Sequence, residues 1–285
     1  MANARETKKR IRTVKNTAKI TRTMEMVATA KSRKTYSRIA ALAPYADKIR
    51  ELLADLSTAG EASHPLLRRE EKPRHVTLLV ITANRGLCGS FNGNVLDRCE
   101  KRMKALAEAG IAHRLVVVGR KGVGYFKFAR VQVDEAHTDL DEKVPYERTE
   151  SIAVSLMNEF IAGHTDSVEV FSNRVRGSAA VVPDTRTLLP LEIAKDAKPG
   201  ADYIYSPTPA ELLRDLVPLA FKTMVFRAII ESMAAEQIAR RVAMKNAADS
   251  AKDMVKDLTR LYNRTRQAAI TREIAEIVGG AEALK

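Results

Sequence analysis

The chain has 285 residues, which is enough for one large domain or two modest ones with a buried core. Hydrophobic residues make up 45% of it, which excludes a disordered chain, whereas aromatic residues reach only 5%. The formal net charge is +13, and residues 1–38 account for most of it, with twelve Lys or Arg against two acids.

The first predicted element is a long helix within a coiled-coil segment that spans residues 1–57. Gly is absent between about residues 3 and 57, and we expect Pro44 to bend the helix rather than end it, because an apolar heptad runs through it. The heptad seam consists of Ile39, Leu42, Ala46, Ile49, Leu53 and Leu56. Smaller apolar residues continue the stripe towards the N-terminus: Ile11, Val14, Ala18, Ile20, Met24 and Val27.

Basic residues form a second stripe on this helix, which we call the basic stripe: Lys8, Arg12, Lys15, Lys19 and Arg22. Three kinds of partner are compatible with such a stripe: nucleic acid, a membrane surface, or an acidic protein. Within residues 1–38 only Tyr36 is aromatic, so the segment has few side chains that could stack on bases or anchor in lipid. An acidic protein partner is favoured, while nucleic acid, membrane and a merely solvated face remain open.

The central segment, 73–191, is expected to form a small α/β, Rossmann-like domain. Two nearly continuous apolar runs, 74–83 and 113–119, have the length of strands buried on both faces. Amphipathic helical patterns follow each of them, and residues 167–191 read as a hairpin turning at Arg176 and Gly177. Alternating strands and helices predict a mainly parallel sheet.

The last predicted element is a second long helix, in the segment 209–285. Pro209 suits a first helical turn, with Thr208 as its cap. Small residues dominate its heptad seam, so two helix backbones can approach closely. Because the central domain returns the chain, we expect the two terminal helices to form a long antiparallel coiled coil. The second seam consists of Met244, Ala248, Ala251, Val255, Leu258, Tyr262, Thr265 and Ala269.

No catalytic, cofactor-binding or metal site is predicted. The glycines in 84–93 and 116–124 follow strands but fit neither the dinucleotide nor the P-loop spacing, so tight turns explain them better. Cys88 and Cys99 lack CxxC spacing, and the five His residues are scattered singly. Neither a secretory signal nor a transit peptide is expected, since the helical pattern continues past residue 50.

Four segments together resemble the γ subunits of F-type ATP synthases. They are RETKKRIRTVKNTAKITRTMEMVATAKSRK (5–34), NRGLCGSFN (84–92), AAEQIARRVAMKNAADSA (234–251) and LYNRTRQAAITREIAEIVGGAEAL (261–284). In this family the terminal helices form the central stalk inside a ring of α and β subunits, and the α/β domain contacts the ε subunit and the membrane c-ring. The resemblance therefore implies a rotor that couples proton-driven rotation to ATP synthesis and has no catalytic site or cofactor of its own.

The resemblance also implies a place in the cell and a set of contact residues. We expect a bacterial form on the cytoplasmic face of the membrane, attached only through its partners, and keep a basic helical nucleic-acid-binding protein as the alternative. Two departures from the family pattern are Ala83-Asn84, where Ser-Asp is usual, and Ser206, where an acid is frequent. The implied contacts are Met24 with an acidic lever of β, Arg240 and Gln267 with a loop of β, Tyr203 and Tyr205 with the c-ring, and Ile274, Ile277 and Val278 with an apolar sleeve.

Overall fold

A five-stranded sheet occupies the middle of the chain, with the strand order β3-β2-β1-β4-β5. The computed structural model describes residues 4–59, 64–140, 144–177, 180–192 and 208–282. The first four strands in this order run parallel, and β5 runs antiparallel to β4, so the predicted, mainly parallel sheet with a closing hairpin is confirmed. The strands are β1 (His75–Ile81), β2 (Ala112–Val118), β3 (Glu135–His137), β4 (Ser167–Arg176) and β5 (Ala180–Leu189).

Helices cover both faces of this sheet, which explains the nearly continuous apolar character of β1 and β2. On one face, α2 (Phe91–Glu108) and α3 (Arg120–Phe128) pack against Val76, Leu78 and Val80. On the other, α4 (Tyr146–Ile161) packs against Leu79 and Ile81 together with parts of the two long helices. Successive residues of one strand therefore enter two different cores.

The two long helices are α1 (Ala4–Ala59) and α5 (Pro209–Glu282). As predicted, α1 continues through Pro44. The predicted cap of α5 is also present, because the Glu211 amide donates to Thr208 Oγ1 at 3.4 Å and the Thr208 amide donates to the Glu211 carboxylate at 3.2 Å. This reciprocal capping box satisfies two backbone donors at the helix start.

The chain forms two compact units, Met1–Ala28 with Arg241–Lys285, and Thr29–Arg240. In the first unit α1 and α5 lie side by side, since residues of both line one groove of about 440 Å³. The chain leaves this unit after Ala28 and re-enters it at Arg241, so the two segments run antiparallel. In the second unit both helices contribute to the core above the sheet. The division into 1–57, 73–191 and 209–285 stays a prediction.

Burial along the long helices follows a heptad. In α1 the predicted seam residues Ala46, Ile49, Leu53 and Leu56 are buried, as are Met244, Ala248 and Ala251 of α5. The other predicted seam residues of the two heptads are half-buried, except Ala269, which is exposed, so the predicted second seam extends too far along α5.

The prediction for the N-terminal part of α1 was wrong at two positions. Ile20 and Val27 are 59% and 52% exposed, whereas Thr21 and Ala28 take the seam positions. Thr21 Oγ1 donates to the carbonyls of Thr17 and Ala18, each at 3.1 Å, so its polar atom is satisfied within its own helix. A hydroxyl bonded in this way can occupy a buried seam where residue type alone favours an aliphatic side chain.

Enlarging Ala28 tests how closely this seam is packed. Ala28 is 1% exposed, so Ala28→Leu is expected to lower the free energy of unfolding by about 1–3 kcal/mol through overpacking. The neighbouring Val27→Leu, at a half-exposed position, should change it by less than about 0.5 kcal/mol. Urea unfolding of both variants measures the difference. Equal effects would show that Ala28 is not tightly enclosed.

Candidate partner interfaces

The carboxyl edge of the sheet is the place where folds of this type usually bind ligands, at the point where the strand order reverses. Here the order reverses between β1 and β4. The loop 82–90 follows β1, and Gly119 follows β2 and caps α3. A phosphate would bind at such a helix start through free backbone amides.

The amides at the start of α3 are already bound by protein acceptors. Gly119 makes this close approach possible: it has φ +99°, and a Cβ atom there would lie 2.2 Å from the carbonyl oxygen of Thr82. The amides of Arg120, Lys121 and Gly122 donate to Asn84 Oδ1 at 2.9 Å, the Ala83 carbonyl at 3.1 Å and Thr82 Oγ1 at 2.9 Å.

Asn84, one of the two departures from the family pattern, uses both ends of its amide. Its Oδ1 accepts from the Arg120 amide, and its Nδ2 donates to the Leu140 carbonyl at 2.8 Å. A carboxylate at this position could accept the first bond but could not donate the second. The adjacent Ala83 is 1% exposed, which leaves little room for a larger side chain.

Helix α5 packs against the loop that follows β1. Ala235 packs in one cluster with Ala83, Cys88 and Phe91, and Ala239 lies against this cluster.

Arg240, the next residue of α5, extends this contact through hydrogen bonds. Its Nε and Nη2 donate to the Gly86 carbonyl at 3.4 and 3.3 Å, and its guanidinium also pairs with Glu236. We call Gly86, Glu236 and Arg240 the loop clamp. The clamp joins two of the segments that carried the family resemblance, 84–92 and 234–251.

Both thiols are enclosed. Cys88 is 2% exposed, and burial raises the pKa of its thiol, an effect that the positive charge of Arg240 partly offsets. Cys99 is fully buried, and burial raises the pKa of its thiol to about 12. Neither cysteine is therefore a ready nucleophile. Within the described ranges no three His, Cys, Asp or Glu residues are grouped so that they could hold a metal ion.

The end of α5 is the first surface open to a partner. Every residue from 266 to 281 is exposed, so no part of the described chain covers this stretch, which we call the α5 tip. Its four large apolar side chains are exposed by about half or more: Ile270 (46%), Ile274 (57%), Ile277 (67%) and Val278 (55%). Gln267 is exposed at its base.

The first turns of α1 offer a second open surface. All five residues of the basic stripe are exposed, and they lie directly beside the buried seam. Ile20, Met26 and Val27 form an exposed apolar group in the same unit, and Met24 is half-buried. This part of α1 thus presents positive charge together with apolar area.

The predicted contact residues differ in their unit and in their exposure. Met24, Gln267 and the three apolar tip residues belong to one unit, on or near open surface, whereas Arg240 belongs to the other unit and is held inside the loop clamp. Tyr203 and Tyr205 lie outside the described residues, as does Ser206. Sequence reasoning missed Glu236, although its i, i+4 spacing to Arg240 is a recognisable pairing pattern on a helix.

None of the helices in the described part of the chain carries an apolar stretch long enough to cross a membrane.

The fold has counterparts among solved structures. A chain of the Euglena gracilis mitochondrial ATP synthase, described as OSCP/F1/c-ring, superposes with a TM-score of 0.67 over 99% of this chain and 94% of its own, at 19% identity. A chain of the Tetrahymena thermophila mitochondrial ATP synthase central stalk and c-ring gives a TM-score of 0.60 over 80% of this chain and 99% of its own, at 22% identity. At these identities the likeness concerns the fold.

The sequence comparisons cover the full length. The family described as ATP synthase matches residues 3–284. The ATP synthase gamma chain of Leptospira biflexa is 46% identical over 288 residues, and that of Gemmatimonas aurantiaca is 42% identical over 289 residues, in each case with 100% of both chains covered. The chain therefore belongs to the family of ATP synthase gamma chains.

Proposed function

We propose that this chain is the central-stalk rotor subunit of an F-type ATP synthase, in which it couples c-ring rotation driven by proton flow to ATP synthesis at the β subunits. The observation that carries the proposal is the full-length similarity to gamma chains, at up to 46% identity in the relatives named above. It gives no support to the nucleic-acid alternative.

The exposed surfaces fit a shaft that turns against its surroundings. The α5 tip is a single helix with branched side chains on an otherwise slim end, which suits an apolar sleeve made by the α and β subunits. The basic stripe would favour an acidic surface of the β subunit during approach. Met24 and Gln267 would be direct contacts, whereas Arg240 would act on the β subunit through the loop that it holds.

The occupied helix start of α3 is in keeping with a chain that has no nucleotide site of its own. The amides of Arg120, Lys121 and Gly122, which could otherwise receive a phosphate, donate to Asn84, Ala83 and Thr82. ATP chemistry would then occur in the partner subunits, and the chain would need no cofactor. We assign it the ε subunit and the c-ring as further partners, the latter through Tyr203 and Tyr205, and a peripheral place on the cytoplasmic face of the bacterial membrane.

Reconstitution tests this proposal directly. Membranes are rebuilt with the α, β and remaining subunits, with and without this chain, and ATP-driven proton pumping is measured. Pumping is expected only when the chain is present, because rotation has no other route to the β sites. Equal pumping without the chain would overturn the rotor role and leave the basic stripe to be tested against DNA.

A charged substitution on the α5 tip distinguishes an effect on contacts with partner subunits from an effect on the stability of the free chain. Ile277 is 67% exposed, so Ile277→Asp should change the free energy of unfolding of the free chain by less than about 0.5 kcal/mol. In the reconstituted enzyme, pumping should fall at least about tenfold, because an unpaired charge in an apolar sleeve costs several kcal/mol. The matched control is Glu276→Ala, which removes an exposed charge next to it and should leave pumping intact. Normal pumping by Ile277→Asp would argue against an apolar sleeve.

A further inference from the structure

The outward face of α3 carries an aromatic side chain that the fold does not use. Phe126 is fully buried between α3 and the sheet, whereas Phe128, two residues later, is 88% exposed. No other large hydrophobic side chain in the described ranges reaches this exposure. A single exposed apolar residue needs no explanation, so its significance depends on what surrounds it.

Exposed basic side chains lie on both sides of Phe128 along the chain. Arg120, Lys121, Lys127 and Arg130 are all exposed, and the sequence from 120 to 130 contains no acid. None of the four forms an ion pair with a carboxylate of the described chain. Elsewhere exposed Lys residues do find such partners, as Lys252 does with Asp249 and Lys256 with Asp253.

Gly124 leaves the helix backbone uncovered by a side chain on the same face. It lies one turn from both Lys121 and Phe128, and a Cβ atom at this position would have no neighbour within 4 Å. Glycine inside a helix costs about 0.5–1 kcal/mol relative to alanine. Gly122 has a reason in the fold, since a Cβ there would lie 2.8 Å from both Thr82 and Val117. Packing within the chain gives Gly124 no such reason.

We propose that this surface, Lys121, Gly124, Lys127, Phe128 and Arg130, which we call the α3 face, docks an acidic segment of a partner protein. The carboxylates of the segment would pair with Lys121, Lys127 and Arg130, and an apolar side chain would cover Phe128 next to the open backbone of Gly124. From Lys121 to Phe128, the last residue of α3, the face is about 10 Å long, which matches about two helical turns or about three extended residues. The proposal stands on this face alone and does not depend on the rotor role.

A protein segment fits the α3 face better than a membrane. Binding along a bilayer surface requires a broad apolar face, and α3 turns its other large apolar side chains inwards. Charge complementarity around one apolar anchor is the usual arrangement of a protein interface.

Photo-crosslinking on the intact chain tests the proposal. The probe is a 12-residue synthetic peptide of Glu and Leu with one Leu replaced by p-benzoylphenylalanine, and a second peptide carries Lys in place of every Glu. Cross-links of the acidic peptide are expected within 120–130. Cross-links confined to the basic stripe of α1, or equal cross-linking by the Lys peptide, would overturn the assignment.

Variants separate docking from folding. Phe128→Ser, and Lys127→Glu combined with Arg130→Glu, should each weaken cross-linking within 120–130 by about tenfold, since both remove anchors from an exposed surface. Gly124→Gln should also weaken it while it stabilises the helix, a combination that a structural defect cannot produce. Ile161→Ser, at an apolar residue 50% exposed at the end of α4, is the matched control and should have no effect. Unchanged cross-linking in the α3 variants would overturn the proposal.

Sedimentation with lipid vesicles tests whether an anionic membrane, rather than an acidic protein segment, binds the α3 face. The chain is sedimented with phosphatidylglycerol vesicles and with phosphatidylcholine vesicles, and the same variants are compared. Binding to phosphatidylglycerol that depends on Phe128, without cross-linking of the acidic peptide to α3, would replace the protein partner by a membrane surface. Cross-linking to α3 without vesicle binding that depends on Phe128 supports the proposal.

Discussion

Replacing Gly119 with alanine is expected to destabilise the unit that contains the sheet by at least about 3 kcal/mol. The residue has φ +99°, where side chains are strained, and its Cβ would lie 2.2 Å from the Thr82 carbonyl oxygen and 2.7 Å from Thr82 Oγ1. Relief requires the β1 and β2 ends to separate. That movement would break the bonds from Thr82 Oγ1 to the Val118 carbonyl and from the Gly122 amide to Thr82 Oγ1. Urea unfolding measures the loss.

Gly124→Ala is the control for Gly119→Ala, because both changes add one methyl group to a glycine at or in α3. At Gly124 the methyl group meets no atom, and helix propensity should stabilise the chain by about 0.5–1 kcal/mol. The two substitutions should therefore shift the free energy of unfolding in opposite directions. A Gly119→Ala chain as stable as the parent would contradict the close packing between Gly119 and Thr82.

Removing the guanidinium of Arg240 should have the second large effect, a loss of about 3 kcal/mol in the free energy of unfolding. The side chains of Arg240 and Glu236 are only 10% and 14% exposed, so Arg240→Ala removes the guanidinium that pairs with a largely buried carboxylate. It also leaves the Gly86 carbonyl without its two guanidinium donors. The loop 84–90 should then open, and the thiol of Cys88 should react with maleimide faster than in the parent.

Two comparisons make this result specific to the loop clamp. Lys256→Ala removes a cation whose ion pair with Asp253 is about 70% exposed on both sides, and should cost less than about 0.5 kcal/mol. Combining Arg240→Gln with Glu236→Gln removes both charges and should recover part of the stability lost in Arg240→Ala, because the two charges of the largely buried ion pair are removed together. A loss as small as that of Lys256→Ala, with Cys88 still unreactive, would contradict the clamp.

Much of the architecture could be predicted because the relevant patterns are local or periodic. The heptad through Ala46, Ile49 and Leu53 identified the buried side of α1, and the Thr208-Pro209 pair identified the start of α5. The apolar runs of β1 and β2 identified strands covered on both faces. Each of these features depends on residues a few positions apart in the sequence.

The remaining features depend on tertiary contacts or on very short segments. Ile20 and Val27 are apolar but lie out of phase with the seam, whose positions Thr21 and Ala28 fill. The strand β3 has three residues and is defined mainly by its pairing with β2.

Arg240 is a site residue whose contacts also depend on the tertiary structure. Its predicted contact with a loop of β stays a prediction, but its hydrogen bond to a carbonyl 154 positions earlier in the chain could not be predicted, because no spacing rule brings such residues together.

The full exposure of the α5 tip has a consequence for assembly. A helix of about 16 residues without packing is only marginally stable in water, so its amides should exchange with solvent more readily than those of the buried part of α5. Enclosure by other subunits would suppress this fraying. Part of the favourable free energy of assembly is then used to order the tip, which makes its insertion readily reversible and limits how firmly any single orientation is held.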